Sequence, residues 1–275
     1  SASVTFRKKK PAREAEAKLL SLFSEWGWKA FKFQKDAWTA YQKGESGLVH
    51  APTGTGKTYA VWAPPILEWM AETAQQEKAR TPGLRVLWIT PLRALVEDTT
   101  LSLGKLCESL KIPWTIESRT GDTTGPIKAR QRRKLPSCLV TTPESLSLLL
   151  SYPDLKSSLS GLHAVIVDEW HELLSTKRGT QTELCLARLR KWNPNLRTWG
   201  LSATLGNLED AMSALTGDSS KGTLINGDLK KRFTLETVRP KNMEKFPWAG
   251  HLGGRLVGEV AKKIEKAQTT LVFTN

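Results

Sequence analysis

The sharpest chemical signal in the chain is the run Ala51-Pro52-Thr53-Gly54-Thr55-Gly56-Lys57-Thr58. Its spacing is that of a P-loop with alanine in place of the first glycine. Small residues let successive backbone N–H groups curl around a polyphosphate, and a helix N-terminus behind them adds a favourable dipole. In such a cradle Lys57 reaches the β- and γ-phosphates and the Thr58 hydroxyl ligates Mg²⁺. Hydrolysis also needs an acidic strand end that holds the metal and positions water, and Asp168-Glu169 supplies one directly after the apolar run 164–167. On this reading Asp168 holds Mg²⁺ through water, while Glu169 orients and deprotonates the attacking water. No GxGxxG pattern accompanies these residues, which argues against a dinucleotide fold.

Both groups must stand at strand ends that share one edge of a sheet. Apolar, β-rich runs at residues 46–51, 84–90, 114–117, 138–142, 163–167 and 198–201 alternate with helical stretches. That alternation predicts an α/β fold with a mainly parallel sheet and helices on both faces. The connections 59–76 and 92–110 are long enough for crossover helices, and ligands of such sheets bind at the C-terminal strand ends. Upstream, helical spacing covers 12–23 and a second short helix is expected over 35–43, while the charge run Arg7-Lys8-Lys9-Lys10 reads as a solvated arm. Downstream, a helix over 208–215 leads to a Gly/Ser/Lys-rich turn at 216–222 and a strand-like segment at 231–238. Residues 239–254, with two prolines and three glycines, read as an inter-lobe linker. A helix over 255–268 and a buried strand over 270–273 follow, so the sequence reads as stopping one strand into another βα unit.

The bulk composition narrows the partners. A chain that is 39% hydrophobic and 25% charged is not disordered as a whole, and its apolar runs fall short of the roughly 18 residues of a membrane span. The opening SASVTFRKKK has no apolar core of a secretory signal. Cys107, Cys138 and Cys185 are odd in number and far apart, which suits neither a disulfide framework nor structural zinc and fits a reducing cytosol. With 41 Lys+Arg against 27 Asp+Glu, the net charge of +14 favours a polyanion, nucleic acid first. The basic run 128–134 reads either as an extension of a strand track or as a solvated helix face. Of the 11 tryptophans, Trp26, Trp28, Trp38, Trp62, Trp69 and Trp88 sit among apolar neighbours and are expected in the core, whereas Trp170, next to Glu169, would shape the pocket.

Trp170 and His171 complete the sequence Asp-Glu-Trp-His, and with it the chain resembles the DExH-box helicases of superfamily 2. Further signature segments stand in the order of that family: Gln34 in Phe31-Lys32-Phe33-Gln34, the P-loop, Pro91-Leu92-Arg93-Ala94-Leu95, Arg119-Thr120-Gly121-Asp122, Thr142-Pro143-Glu144-Ser145, the acidic motif, and Ser202-Ala203-Thr204. The finer wording, DEWHELL at 168–174, KRGTQTEL at 177–184 and FPWAGHLG at 246–253, is similar to the large-helicase-related (Lhr) family, especially its bacterial ligase-associated DEXH-box branch.

The resemblance implies a RecA-like P-loop NTPase lobe over 26–238, preceded by a basic arm and helix over 1–25. It implies a linker at 239–254 and the start of a second RecA-like lobe at 255–275, so that this span alone would lack full activity. Gln34 is implied to read the adenine edge through its two-sided amide, the plain alternative being a surface glutamine. Ser202 and Thr204 are implied to couple hydrolysis to strand movement, with His171 as their contact in the acidic motif; a helix-capping turn and a core histidine are the bland alternatives. Pro91, Arg93, Arg119, Thr120, Gly121, Asp122, Thr142 and Pro143 fall on strand-to-helix loops that the family lays along the backbone of one tracked strand, a sequence-tolerant mode of binding. The implied cofactors are ATP and Mg²⁺, and the implied partner is single-stranded DNA or an RNA:DNA hybrid. Also implied are 3′-to-5′ tracking with duplex unwinding in DNA repair, beside proteins such as a ligase or nuclease, by a monomer in the bacterial cytoplasm without a membrane. The alternative is a non-unwinding ATP-dependent clamp or switch, which strand displacement tells apart.

Overall fold

Short, near-continuous apolar runs build the sheet, because its central strands are buried on both faces. The computed structural model describes residues 2–77, 79–203, 206–217, 222–227, 236–237 and 253–273. Its strands are β1 (Ser46–His50), β2 (Val86–Ile89), β3 (Ile116–Arg119), β4 (Cys138–Thr141), β5 (Ala164–Val167), β6 (Arg197–Ser202) and β7 (Gly222–Asn226). They form one seven-stranded sheet of order β3-β4-β2-β5-β6-β1-β7, and every pairing is parallel. Register is fixed by burial on both faces: Val86 and Trp88 enter one core while Leu87 and Ile89 enter the other, and Ala164 and Ile166 oppose Val165 and Val167 in the same way.

Helices close both faces. The first core takes buried residues from α1 (Ala2–Glu25), α2 (Lys32–Gln42), α3 (Lys57–Thr73) and α4 (Val96–Ser109). At its centre Trp62 stands edge-on to Trp88 at 6.3 Å and to Trp114 at 5.8 Å. Helix α5 (Gly125–Arg133) joins β3 to β4. The second core, mostly leucine, lies under α6 (Pro143–Leu150), α7 (Lys156–Leu159), α8 (Trp170–Leu173), α9 (Lys177–Trp192) and α10 (Leu208–Thr216). Gly179 permits the tight approach of α9 to α8, because a Cβ there would stand 2.1 Å from the Leu173 carbonyl oxygen. The chain divides into two compact units, residues 1–229 and 230–275; in the second, α11 (Gly253–Glu265) carries Lys263, which pairs with Glu236. Among the described residues no helix is long and apolar enough to cross a membrane.

Several expectations shift. The basic run at 7–10 lies within the helix α1. Trp28 is half exposed, at the rim of an aromatic cluster with Phe23, Trp26 and Tyr59. Trp170 is fully buried and its indole N–H donates to the Ala211 carbonyl at 2.7 Å, so it belongs to the second core rather than to the pocket wall. β3 runs two residues beyond the expected 114–117, and β7 forms just after the expected turn, against the otherwise open side of β1. Residues 270–273 form no strand, and Leu271 and Phe273 are exposed; an apolar run becomes a strand only where a neighbour completes its hydrogen bonds. The strand-like 231–238, apart from 236–237, and the linker 239–254, apart from the start of α11, lie outside the described residues, as does Thr204.

At the N-terminal end of the sheet a half-buried ion cluster ties the first core together. Glu68 of α3 accepts from Arg197 at 2.7 Å, and its other oxygen lies 3.1 Å from His163 Nδ1 and 3.8 Å from Arg85. The Arg197 guanidinium also lies 4.3 Å over the Tyr41 ring. Burial alone would raise the Glu68 carboxyl, but hydrogen bonds from His163 and Arg197 and the charge of Arg197 hold it down at about 2. A carboxyl held below its unfolded value stabilises the fold above that value and stops doing so as pH falls through the folded one. We therefore expect Glu68→Gln to cost about 2 kcal/mol near neutrality after allowing for solvent screening. Chemical denaturation of the two proteins as a function of pH checks this: the difference should shrink as pH falls from about 4.5 towards 2, and a difference that is constant with pH would remove Glu68 from the account.

Candidate active site

The loop between β1 and α3 takes its shape from two glycines. Gly54 and Gly56 have φ of +75° and +80°, a region that glycine enters without strain. Gly56 also supplies the N-terminal cap of α3, and the Thr55 hydroxyl donates to the Pro52 carbonyl at 2.6 Å across the turn. A Cβ on Gly56 would stand 2.8 Å from Gln34 Nε2. Gln34 is buried, accepts from the Phe31 N–H at 2.8 Å and donates to the Gly56 carbonyl at 2.9 Å. The residue expected at the adenine edge is thus a brace between the start of α2 and the phosphate loop, with one N–H and one lone pair of its amide still available. Thr53 and Gly54 lie exposed at the tip, and Thr58 is half-buried on the first turn of α3.

Lys57 is the outstanding electrostatic feature. It is 7% exposed, and its Nζ makes no hydrogen bond among the described residues. Burial pulls its pKa down while the charges of Glu169 and Asp168 push it back up. A buried ammonium without a partner costs free energy that an anion in the cradle would recover. Facing it, Asp168 is raised to about 6, first by burial and then by the charge of Glu169, against the Glu169 N–H at 3.0 Å, the nearby Trp88 indole and Lys57.

Glu169 adopts φ +43° and ψ +48°, a left-handed conformation rare for a residue with a side chain. It turns the chain from β5 into α8 and brings His171 back over the sheet edge. His171 Nδ1 lies 3.5 Å from Glu169 Oε2 and 3.3 Å from Ser202 Oγ, and Nε2 lies 3.4 Å from Glu172. The histidine therefore bridges the acidic motif to the end of β6 and is no core residue. Sequence reasoning missed His50, the last residue of β1. Its Nδ1 is buried without a hydrogen-bond partner among the described residues, Ser202 is its neighbour across the sheet, and burial lowers its pKa, followed by the charges of Lys57 and His171. The available signal was a polar residue closing a buried strand immediately before a P-loop.

The loops expected to face a strand share this edge. Arg93 pairs with both carboxylate oxygens of Asp122 at 3.2 Å, so Asp122 neutralises an arginine that would otherwise face solvent alone. The Thr120 hydroxyl accepts from the Asp122 N–H at 3.2 Å, and Lys128 Nζ donates to the Gly121 carbonyl at 2.8 Å. Thr142 caps α6 through the Ser145 N–H, with Pro143 behind it in the first turn, and Pro91 is buried at the end of β2. Arg119 departs from the expected loop position. It ends β3, is 3% exposed and donates to the Lys128 carbonyl at 3.2 Å and Gln131 Oε1 at 3.3 Å. The two-residue extension of β3 is what places it on the strand, under α5.

A sequence profile of the DEAD/DEAH box helicase family matches residues 31–211. The chain is 32% identical over 255 residues to the ATP-dependent helicase Lhr-Core of Methanocaldococcus jannaschii, covering 88% of this chain and 30% of that protein. It is 34% identical over 238 residues to the Lhr helicase/probable uracil glycosylase of Mycolicibacterium smegmatis, covering 80% and 15% respectively. Among solved structures, Mycobacterium smegmatis helicase Lhr bound to ssDNA and AMP-PNP superposes with a TM-score of 0.65 at 30% identity, covering 82% of this chain and 28% of that one. The chain thus spans less than a third of the length of these relatives. The DEAD-box helicase Mss116 bound to ssRNA and UDP-BeF shares the fold, with a TM-score of 0.60 at 18% identity.

The unpaired Lys57 generates a test. Lys57→Met should raise ligand-free stability by about 1–3 kcal/mol, because it removes an unsatisfied buried donor, while abolishing nucleotide affinity. Thermal denaturation beside titration with a fluorescent ATP analogue reads both; a variant that is less stable yet still binds would contradict the phosphate-cradle assignment.

Proposed function

Since the chain belongs to the DEAD/DEAH box helicase family, we propose that it is the nucleotide-binding RecA-like lobe of an Lhr-type motor that spends ATP to move along a nucleic-acid strand. The observation that carries this reading is the buried Lys57, whose Nζ makes no hydrogen bond among the described residues, set opposite Asp168 and Glu169, with His171 linking that pair to Ser202. The phosphate chain lies in the curl of backbone N–H groups from Gly54 to Thr58, where Lys57 neutralises the transferred phosphoryl group. The remaining donor and acceptor of Gln34 meet the adenine edge, so that base recognition and loop shape share one side chain.

Thr58 and Asp168 offer hard oxygen donors, a hydroxyl and a carboxylate, and this set suits Mg²⁺. When bound there, the ion supplies charge neutralisation across the phosphate oxygens. Glu169 accepts the proton of the attacking water. As Glu169 takes up that proton, its neighbour His171 passes the change to Ser202 at the end of β6, and Thr204 shares that coupling role. The loops carrying Pro91, Arg93, Thr120, Gly121, Asp122, Thr142 and Pro143 hold backbone phosphates of one strand, by hydroxyls and helix N-termini rather than by base contacts. We assign single-stranded DNA or an RNA:DNA hybrid as the track, 3′-to-5′ as the direction and DNA repair as the setting. The named relatives support the class of engine, and an ssDNA-bound Lhr neighbour supports the choice of strand.

Glu169→Gln should bind the fluorescent ATP analogue as tightly as the parent while strand-stimulated hydrolysis falls by at least about 10²-fold. Hydrolysis at the parental rate would move the base to another residue. Direction is read by displacement assays on duplexes with a 3′ or a 5′ tail, using the protein together with its continuation into a second lobe. Stimulated hydrolysis without displacement of either duplex would favour the clamp or switch.

A further inference from the structure

Beside the site lies a groove of about 730 Å³ between α5 and the segment from Leu148 to Ser158. Its walls carry four cations, Arg119, Lys128, Arg132 and Arg133, and one carboxylate, Asp154. That carboxylate is already engaged: Arg132 donates to its two oxygens at 2.9 and 3.0 Å and lies 4.3 Å over the Tyr152 ring. Arg119, Lys128 and Arg133 have no carboxylate partner among the described residues. Arg119 is the unusual one. It is a buried guanidinium whose bonds go to neutral acceptors only, the Lys128 carbonyl and the Gln131 amide. A buried charge without a counter-charge is costly, and the cost is recovered when an anion enters the groove that the residue lines.

We propose that this groove is a second anion channel, which takes the phosphodiester backbone of a nucleic-acid strand after it leaves the loops at the sheet edge. The proposal rests on the strand-binding reading above. The groove starts where that track ends, because Lys128 is bonded at one end to Gly121 of the strand-facing loop and lines the groove itself. Helix α5 contains no acidic residue, and its last turn is basic. Such a surface holds phosphates without reading bases. A short strand would occupy only the edge loops, whereas a longer one would also fill the channel.

The test pairs Arg133→Glu with Ser158→Glu, both exposed on the groove walls and away from the Gly121 contact. Binding of fluorescein-labelled oligo-dT, one short and one long, is followed by anisotropy across a salt series. We expect the double variant to bind the long strand about tenfold more weakly at low salt, with the slope of log affinity against log salt reduced by about 1. Short-strand affinity and ATP affinity should be unchanged. Unchanged long-strand binding, or an equal loss for both lengths, would overturn the channel while leaving the edge site standing. If the parent protein binds neither strand, the strand-binding reading fails and the channel fails with it.

Discussion

Parallel pairing is the constraint from which the rest of this architecture follows. When every strand runs the same way, every strand must deliver its C-terminal end to one edge, and each return must cross a face as a helix. The phosphate loop after β1, Pro91 after β2, Thr120 after β3, Thr142 after β4, the acidic pair after β5 and Ser202 at the close of β6 are therefore neighbours, although about 150 residues separate the first from the last. The chemistry needs no long-range device beyond this. It needs the two cores to hold the strands in register so that those ends stay in reach of one another, and the tryptophans and leucines on the two faces supply that.

Charge is distributed on the same axis. At the N-terminal end of the sheet the buried ions are compensated: Glu68 meets Arg197, Arg85 and His163 within 4 Å, and its carboxyl is driven far towards the ionised form. At the C-terminal end they are not. Among the described residues Lys57 makes no hydrogen bond, Asp168 is pushed towards protonation, and Arg119 at the end of β3 bonds only to neutral groups. One end of the sheet therefore contributes stability and the other gives some of it up. The deficit is of the kind that a polyphosphate in one place and a phosphodiester in another would remove. The overall charge of +14 says only that polyanions are welcome; the uncompensated positions say where.

Much of this was readable from the residues alone, for identifiable reasons. The P-loop and the acidic pair are visible because their chemistry is local: consecutive residues do the work, and an apolar run marks the strand that carries them. β3 was visible as a strand but not to its last residue, and two residues were enough to move Arg119 from a solvent-facing loop to a site under α5. β7 was illegible because a short, half-buried strand of mixed composition exists only through the otherwise open side of β1. Conversely, residues 270–273 have the composition of a strand but pair with no strand among the described residues. The place of His50 beside Ser202 and the bond from Gln34 to Gly56 depend on elements distant in sequence meeting in space, which no spacing rule encodes.

Glu169 stands in a backbone conformation that favours glycine or asparagine over glutamate. Strain of this type costs of order 1–3 kcal/mol. The position is therefore one where the residues best suited to the backbone lack the carboxylate, so drift towards a more stable chain runs directly against retention of the acid. In a population screened only for thermal endurance, glutamate at 169 would be among the first side chains replaced, whereas selection on turnover would hold it in place.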